Sequence, residues 1–243
     1  MRISVIVAKL SRFLSDPLRP GFSQFMFLSP VLSTDSWRKR KPFNRGMSVG
    51  IGFRVGLIAV VTLLVWRAYF KYVPSLGLNW IAQSYLALVP LYALGQLLSG
   101  VLELVFGLTG WHYPAHFQFP PLAKDLTECW GRRWASWVAD WLNQMVFRRY
   151  RRKPALGLCV SFFYSGIWHE FLVNIPLHLF CGVNVFGSQL LYFLIQAIGV
   201  IGERKMKRSS HAHRFYLWAF VLVTSPLVVN EGVLRVTGLL LSK

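Results

Sequence analysis

The chain predicts an all-α fold: a polytopic bundle of transmembrane helices with about five spans, its N-terminus cytoplasmic, and a tryptophan-rich amphipathic helix at the membrane interface. Three observations carry that prediction. The 243 residues are 54% hydrophobic and only 15% charged, with mean hydropathy +0.44, whereas soluble domains run nearer a quarter charged. Five apolar runs, at about 50–70, 80–102, 155–177, 185–202 and 215–233, approach the ~20 residues that cross a bilayer as helix. Lys and Arg then alternate from one connection to the next.

That alternation sets the orientation. Ten Lys and Arg lie from Arg2 to Arg54, eight from Lys124 to Lys153 and five from Arg204 to Arg214. The other connections hold Lys71 in one case and none from His178 to Asn184, with Arg235 and Lys243 after the last run. The positive-inside rule places the N-terminus and the 109–153 and 203–214 loops in the cytoplasm. The net charge of +18 is then largely a topology signal plus attraction to anionic lipid. Long uncharged runs argue against nucleic acid as the partner of that charge.

Two regions follow from composition. Residues 1–48 form a basic cytoplasmic or interfacial segment broken by Pro17, Pro20, Pro30 and Pro42. Ile3, Ile6, Val7, Leu10, Phe13 and Leu14 repeat there at helical spacing, as in a helix lying on a membrane surface. Residues 49–243 form the membrane-embedded domain. Arg54 and Arg67 can snorkel from the ends of the first run, and Glu103 and Glu231 fall near ends of theirs. Cys129, Cys159 and Cys181 are an odd number without close metal-like spacing, so neither a disulfide framework nor a zinc site is expected.

The 109–153 loop is too long for a simple connection. Trp130, Trp134, Trp137 and Trp141 recur at intervals of four, three and four, an arc of about 60° on a continuous helix. Such a helix anchors at an interface and can rim a lipid-facing pocket. Arg132 and Arg133, set between tryptophans, are candidates to bind the phosphates of a nucleotide-bearing substrate. The cluster Arg148, Arg149, Arg151, Arg152 and Lys153 reads better as topology-setting charge. His112 and His116 are i, i+4, but Pro114 between them argues against one metal-binding helix face. His211 and His213 are expected to be solvated. Gln189 and Gln196 fit helix–helix hydrogen bonding better than substrate contact.

The sharpest signal is His169, 14 residues beyond Ala155 and so about 21 Å into its helix. An intramembrane His-Glu pair is expensive and reads as a functional site. Ser165 at i−4 shares the face of His169, while Glu170 points about 100° away. A neutral imidazole in a water-poor tunnel can take the proton of an alcohol as its oxygen attacks an acyl carbon. A heme-type ligand, a proton relay or a polar packing residue are the other readings of such a histidine.

The order Trp130-Gly-Arg-Arg-Trp134, then a basic stretch, then Ser165-Gly-Ile-Trp-His169-Glu170 at the head of an apolar run resembles the membrane-bound O-acyltransferase superfamily. The tryptophan-arginine form looks like its wax synthase branch. The continuation Phe171-Leu172-Val173-Asn174-Ile175-Pro176-Leu177 is closer to the sterol and diacylglycerol acyltransferase branch. The likeness covers residues 111–202. It implies transfer of a fatty acyl group from acyl-CoA, a co-substrate rather than a resident cofactor, to the hydroxyl of a lipid alcohol of wax, sterol, diacylglycerol or terpenoid type.

By that resemblance His169 is the catalytic base. The resemblance also places the tryptophan-rich segment on the cytoplasmic side of the reaction chamber; Trp130, Arg132, Arg133, Trp134, Ser165 and Glu170 are the candidates to support the base or bind substrate, and no metal is expected. The family pattern often has Asn or His directly after the second tryptophan. Here that position is Ala135, so the role is vacant or taken by another residue such as Asn143. The implied setting is a multi-pass membrane protein of the endoplasmic reticulum, or of the inner membrane in a bacterium. Two rival readings are a non-catalytic or truncated scaffold of the same fold and a proton- or ion-translocating protein.

Overall fold

The computed structural model describes residues 41–241 apart from 109, 113, 114 and 207–209; the surface helix expected over residues 3–14 lies outside them. The described chain is mostly helical. Helix α1 (Arg45–Tyr72) begins where Asn44 accepts a hydrogen bond from the Met47 N–H, and α2 (Trp80–Gly107) where Asn79 accepts from Ala82. Both asparagines satisfy an N–H that the first turn leaves without a partner. Helix α3 is Ser136–Met145 and α4 is Pro154–His169. A π-helical turn, Glu170–Asn174, leads from α4 into α5 (Ile175–Cys181). Helices α6 (Ser188–Glu203), α7 (Ser210–Val228) and α8 (Glu231–Val236) complete the set. One short antiparallel pairing, β1 (Lys41–Pro42) with β2 (Trp111–His112), ties the start of α1 to the end of α2. No alternation in the sequence announced it.

Among the described residues, three helices are long and apolar enough to cross a membrane: Arg45–Leu76, Trp80–Gly107 and Pro154–Cys181. Their outer faces carry large apolar side chains, Phe53 at 77% and Leu172 at 66% exposure among them, as lipid-facing surfaces do. The expectation of five spans is met only in these three. The fourth run forms α6, an apolar helix of 16 residues that reaches about 24 Å at 1.5 Å per residue. It is cut short by Gly187 at φ +85° on one side and by the tight turn after Glu203 on the other. The fifth run is divided by Asn230, which ends α7 and caps α8. Its first turn, moreover, is diluted by His211, His213 and Arg214.

Two apolar clusters hold the bundle together. One joins Leu126 and Cys129 to Phe162 of α4, Tyr192, Phe193 and Val200 of α6, and Leu217 of α7. The other joins Tyr69 and Val73 to Ala87 of α2, Val229, Leu234 and Leu239. Helices α4 and α6 meet closely at Gly166, where an added Cβ would lie 2.8 Å from Leu190 Cδ1 and 2.9 Å from its Cα. That contact lies one turn before His169.

The single tryptophan-rich helix is not what forms. Leu126–Glu128 makes one helical turn, Cys129–Arg133 a π turn, and then the helix stops. Trp134 is extended, with φ −94° and ψ 122°, and Ala135 is left-handed, with φ 46° and ψ 53°, before α3 begins. The tryptophans therefore do not share one arc. Trp137 is buried to 1% exposure against Phe106 and His116. Trp130 turns instead into the α4–α6 cluster.

Candidate active site around His169

His169 closes α4 just before the π turn, a backbone irregularity that recurs at functional sites. Its Nδ1 lies 2.8 Å from the Ser165 carbonyl oxygen. A carbonyl only accepts, so this contact places the proton on Nδ1 and leaves Nε2 with its lone pair. Nε2 makes no hydrogen bond among the described residues. The ring packs 4.4 Å from that of Phe193 on α6.

The tryptophan-arginine segment reaches the same place. Trp130 lies 5.8 Å from Phe162, 6.1 Å from Tyr192 and 5.9 Å from Phe193, ring centre to ring centre. Its indole N–H donates to Gln196 Oε1 at 3.1 Å, and Gln196 Nε2 donates to Thr224 Oγ1 at 2.7 Å. Three helical segments thus share one buried relay. Two motifs far apart in sequence meet on the Phe193 ring.

Two carboxylates hold α6 in register with its neighbours. Glu203, 2% exposed, accepts from the Leu126 N–H at 2.7 Å and from the N–H and hydroxyl of Thr127, both at 3.1 Å. This fastens the tryptophan-arginine segment to the end of α6. At the other end Glu170 accepts from the Leu190 N–H at 2.9 Å, the Gly187 N–H at 3.1 Å and Asn174 Nδ2 at 2.8 Å. A carboxylate at a helix N-terminus is favoured by the unpaired N–H groups and the helix dipole. Glu170 therefore positions α6 beside His169. Asn174 donates further to Val185 O and Ser188 Oγ.

The remaining residues expected at the site fall in different places. Arg133 is engaged: its Nε donates to Glu128 Oε1 at 2.9 Å and its Nη1 to the Gln118 carbonyl at 3.0 Å. Arg132 is exposed and has no side-chain partner among the described residues, which leaves it available to an anion. Trp134 meets Phe117 edge-to-face at 5.1 Å and Trp130 edge-to-face at 5.9 Å. Asn143 is exposed on α3 and hydrogen-bonds to nothing among the described residues. Ser165 contributes its backbone carbonyl. Gln189 and Gln196 both make helix–helix hydrogen bonds, Gln189 to the Val228 carbonyl at 3.0 Å.

Electrostatics around the segment are settled by burial and a few contacts. Burial pushes the Cys129 thiol up to about 12, so it stays protonated and inert. Burial also raises Glu128, but the Lys124 N–H and the Arg133 guanidinium outweigh it and hold the carboxyl below its ordinary range. His116, in the loop before α3, is wedged between Phe117 and Trp137 with Nδ1 unpartnered. Burial lowers it to about 4. Among the described residues no three His, Cys, Asp or Glu side chains gather as a metal site.

Glu203 and Phe193 escaped the sequence reading. The signal available for Glu203 was its rarity: the chain has only nine acidic residues, so one at the end of an apolar run needs a partner. Nothing in the sequence distinguishes Phe193 from its neighbours.

The three long apolar helices are those of a membrane protein, and its half-buried His169 packs against the aromatic ring of Phe193. Its sequence is similar to the probable long-chain-alcohol O-fatty-acyltransferase 7 of Arabidopsis thaliana, 27% identical over 143 residues. The likeness covers 54% of this chain and 41% of that protein, so the chain spans well under half the length of the relative it matches. No protein-family model matches the chain.

Proposed function

We propose that the chain is a membrane-bound O-acyltransferase, moving a fatty acyl group from acyl-CoA to the hydroxyl of a lipid alcohol, with His169 as general base. The observation that supports this best is the meeting of the two motifs on Phe193, with Nε2 of His169 left as a free acceptor. The alcohol proton passes to Nε2 as the hydroxyl oxygen bonds to the thioester carbon. The tetrahedral intermediate collapses, the carbon–sulfur bond breaks, and the imidazolium returns its proton to the CoA thiolate. Products are the ester and free CoA. Arg132, exposed and unpartnered, suits the CoA phosphates, and the aromatic wall suits the acyl chain. Glu170, Gln196 and Glu203 act through the helices they hold.

The relative named above is a long-chain-alcohol acyltransferase, which favours a fatty alcohol as the first acceptor to try. Membranes expressing the chain, supplied with radiolabelled palmitoyl-CoA and hexadecanol, should form wax ester. Absence of ester with fatty alcohol, sterol, diacylglycerol and terpenoid acceptors alike would favour the scaffold reading. That reading draws its support from Ala135, which stands where the family pattern often has Asn or His.

A further inference from the structure

A cavity of about 230 Å³ opens between α1, α2 and the 115–119 segment, and neither His169 nor Trp130 lines it. Its lining includes Arg54, Gln96, Ser99 and Glu103 together with Ile58, Phe117 and Phe119; Ile58 lies one turn beyond Arg54 on the same face of α1. Arg54 lies nine residues into α1, near one end of its apolar run, where a long side chain can hold its charged head at the interface. Its partner is Glu103, itself 2% exposed. Arg54 Nη2 donates to Glu103 Oε2, and His112 Nε2 lies 2.7 Å from Oε1. The carboxylate is thereby occupied on both oxygens.

The arginine is not. A guanidinium carries five N–H donors in a planar fork, and only one nitrogen is engaged here among the described residues. The side chain remains 42% exposed at the cavity. A plain ion pair joining α1 to α2 would account for the contact with Glu103. It would not account for an open cationic fork that lines a cavity together with Ile58, Phe117 and Phe119. The volume exceeds the ~150 Å³ of a cavity that takes up benzene, room for a headgroup and the first methylenes of a chain whose remainder leaves through the opening.

We propose that this cavity binds a single-chain amphiphile with an anionic oxygen-rich head, a carboxylate or a phosphate, the head on Arg54 and the chain along Ile58, Phe117 and Phe119. The site is independent of any reaction at His169. Occupancy would be felt at the tryptophan-arginine segment, because Phe117 meets Trp134 edge-to-face and its N–H is held by Ser99 Oγ at 3.1 Å.

The test uses the full chain in lipid nanodiscs and a palmitate bearing a photoreactive diazirine on its chain. Labelling is expected on peptides containing Ile58, Phe117 or Phe119. Unlabelled palmitate or lysophosphatidate should compete, the better competitor identifying a carboxylate or a phosphate head. Hexadecanol should compete about tenfold less well, the loss of one charge-assisted hydrogen bond. Arg54→Gln should reduce labelling by about the same factor, and Arg54→Lys should keep most of it. The double variant Arg54→Gln with Glu103→Gln, which leaves no buried charge unpaired, should lose labelling too. Ile58→Trp should block the site by filling it, and His169→Ala should leave it unchanged. Equal competition by hexadecanol, or full labelling of the double variant, would overturn the proposal.

Discussion

Replacing Glu203 by glutamine tests how the tryptophan-arginine segment is held against α6. The side chain keeps its shape and one carbonyl oxygen, which can still accept from the Leu126 N–H. The second oxygen becomes an NH2 facing the N–H and hydroxyl of Thr127, now 3.1 Å donor-to-donor contacts. Hydrogen bonds to a charged group are worth about 1.5–3 kcal/mol each. The Thr127 hydroxyl can rotate to a new partner, so the loss is that of one bond fully and one in part, about 3 kcal/mol. At about 2–4 °C per kcal/mol for a chain of this size, Tm should fall by about 6–12 °C. Scanning fluorimetry in detergent reads it directly, and trypsin should cut faster at Arg132. Thr127→Val, which removes only the hydroxyl bond to the carboxylate, should cost about 1.5–3 kcal/mol. A Tm within 2 °C of the parent for Glu203→Gln, with unchanged proteolysis, would refute the idea that this carboxylate fastens the segment.

Three further outcomes follow from the same geometry. His116 takes up a proton near 6.5 when unfolded but only near 4 when folded, so the unfolded chain binds more protons between those values. Stability is therefore intact above pH 6.5 and declines toward pH 4 by at most about 3 kcal/mol; His116→Phe should flatten that part of a Tm–pH profile. Ala135 sits at φ 46°, a left-handed backbone costing an L-residue about 1–2 kcal/mol, so Ala135→Gly should raise Tm by a few degrees once the added freedom of the unfolded chain is subtracted. Gly166→Ala places a methyl 2.8–2.9 Å from Leu190, which should cost about 1–3 kcal/mol. Because it moves α6 and Phe193 away from His169, it should also lower ester formation out of proportion to the loss of folded protein.

The long apolar helices were legible because hydropathy is a local property: α1, α2 and the Pro154–Cys181 segment stand where the runs stand. Helices α6 and α7 read as further spans in the sequence because composition alone does not mark where a run is interrupted. Gly187, Glu203 and Asn230 do that through backbone geometry and non-local partners. The tryptophan periodicity was real, yet the helix it implied breaks at Trp134. There the Gln118 N–H bonds the Arg133 carbonyl and the Ser136 N–H bonds the His116 carbonyl. Those are bonds to a loop some 15–20 residues upstream, which no periodicity can reveal. Glu103 shows the same limit. It reads as an interfacial acid and becomes the buried partner of Arg54 and His112. Glu231, by contrast, pairs with Arg235 one turn along its own helix at the surface, a contact within reach of sequence reasoning. His169 stands out in the sequence for the opposite reason: its cost in an apolar segment marks it before any neighbour is known.

The central claim is that His169 is the base of an acyl transfer, and one assay addresses it. Membranes with equal amounts of parent and His169→Ala protein are given radiolabelled palmitoyl-CoA and hexadecanol, and wax ester is counted over time. Loss of the general base should lower the rate by about 10²–10⁴-fold while Tm changes little. Ester formed at the parental rate by the variant would contradict the account.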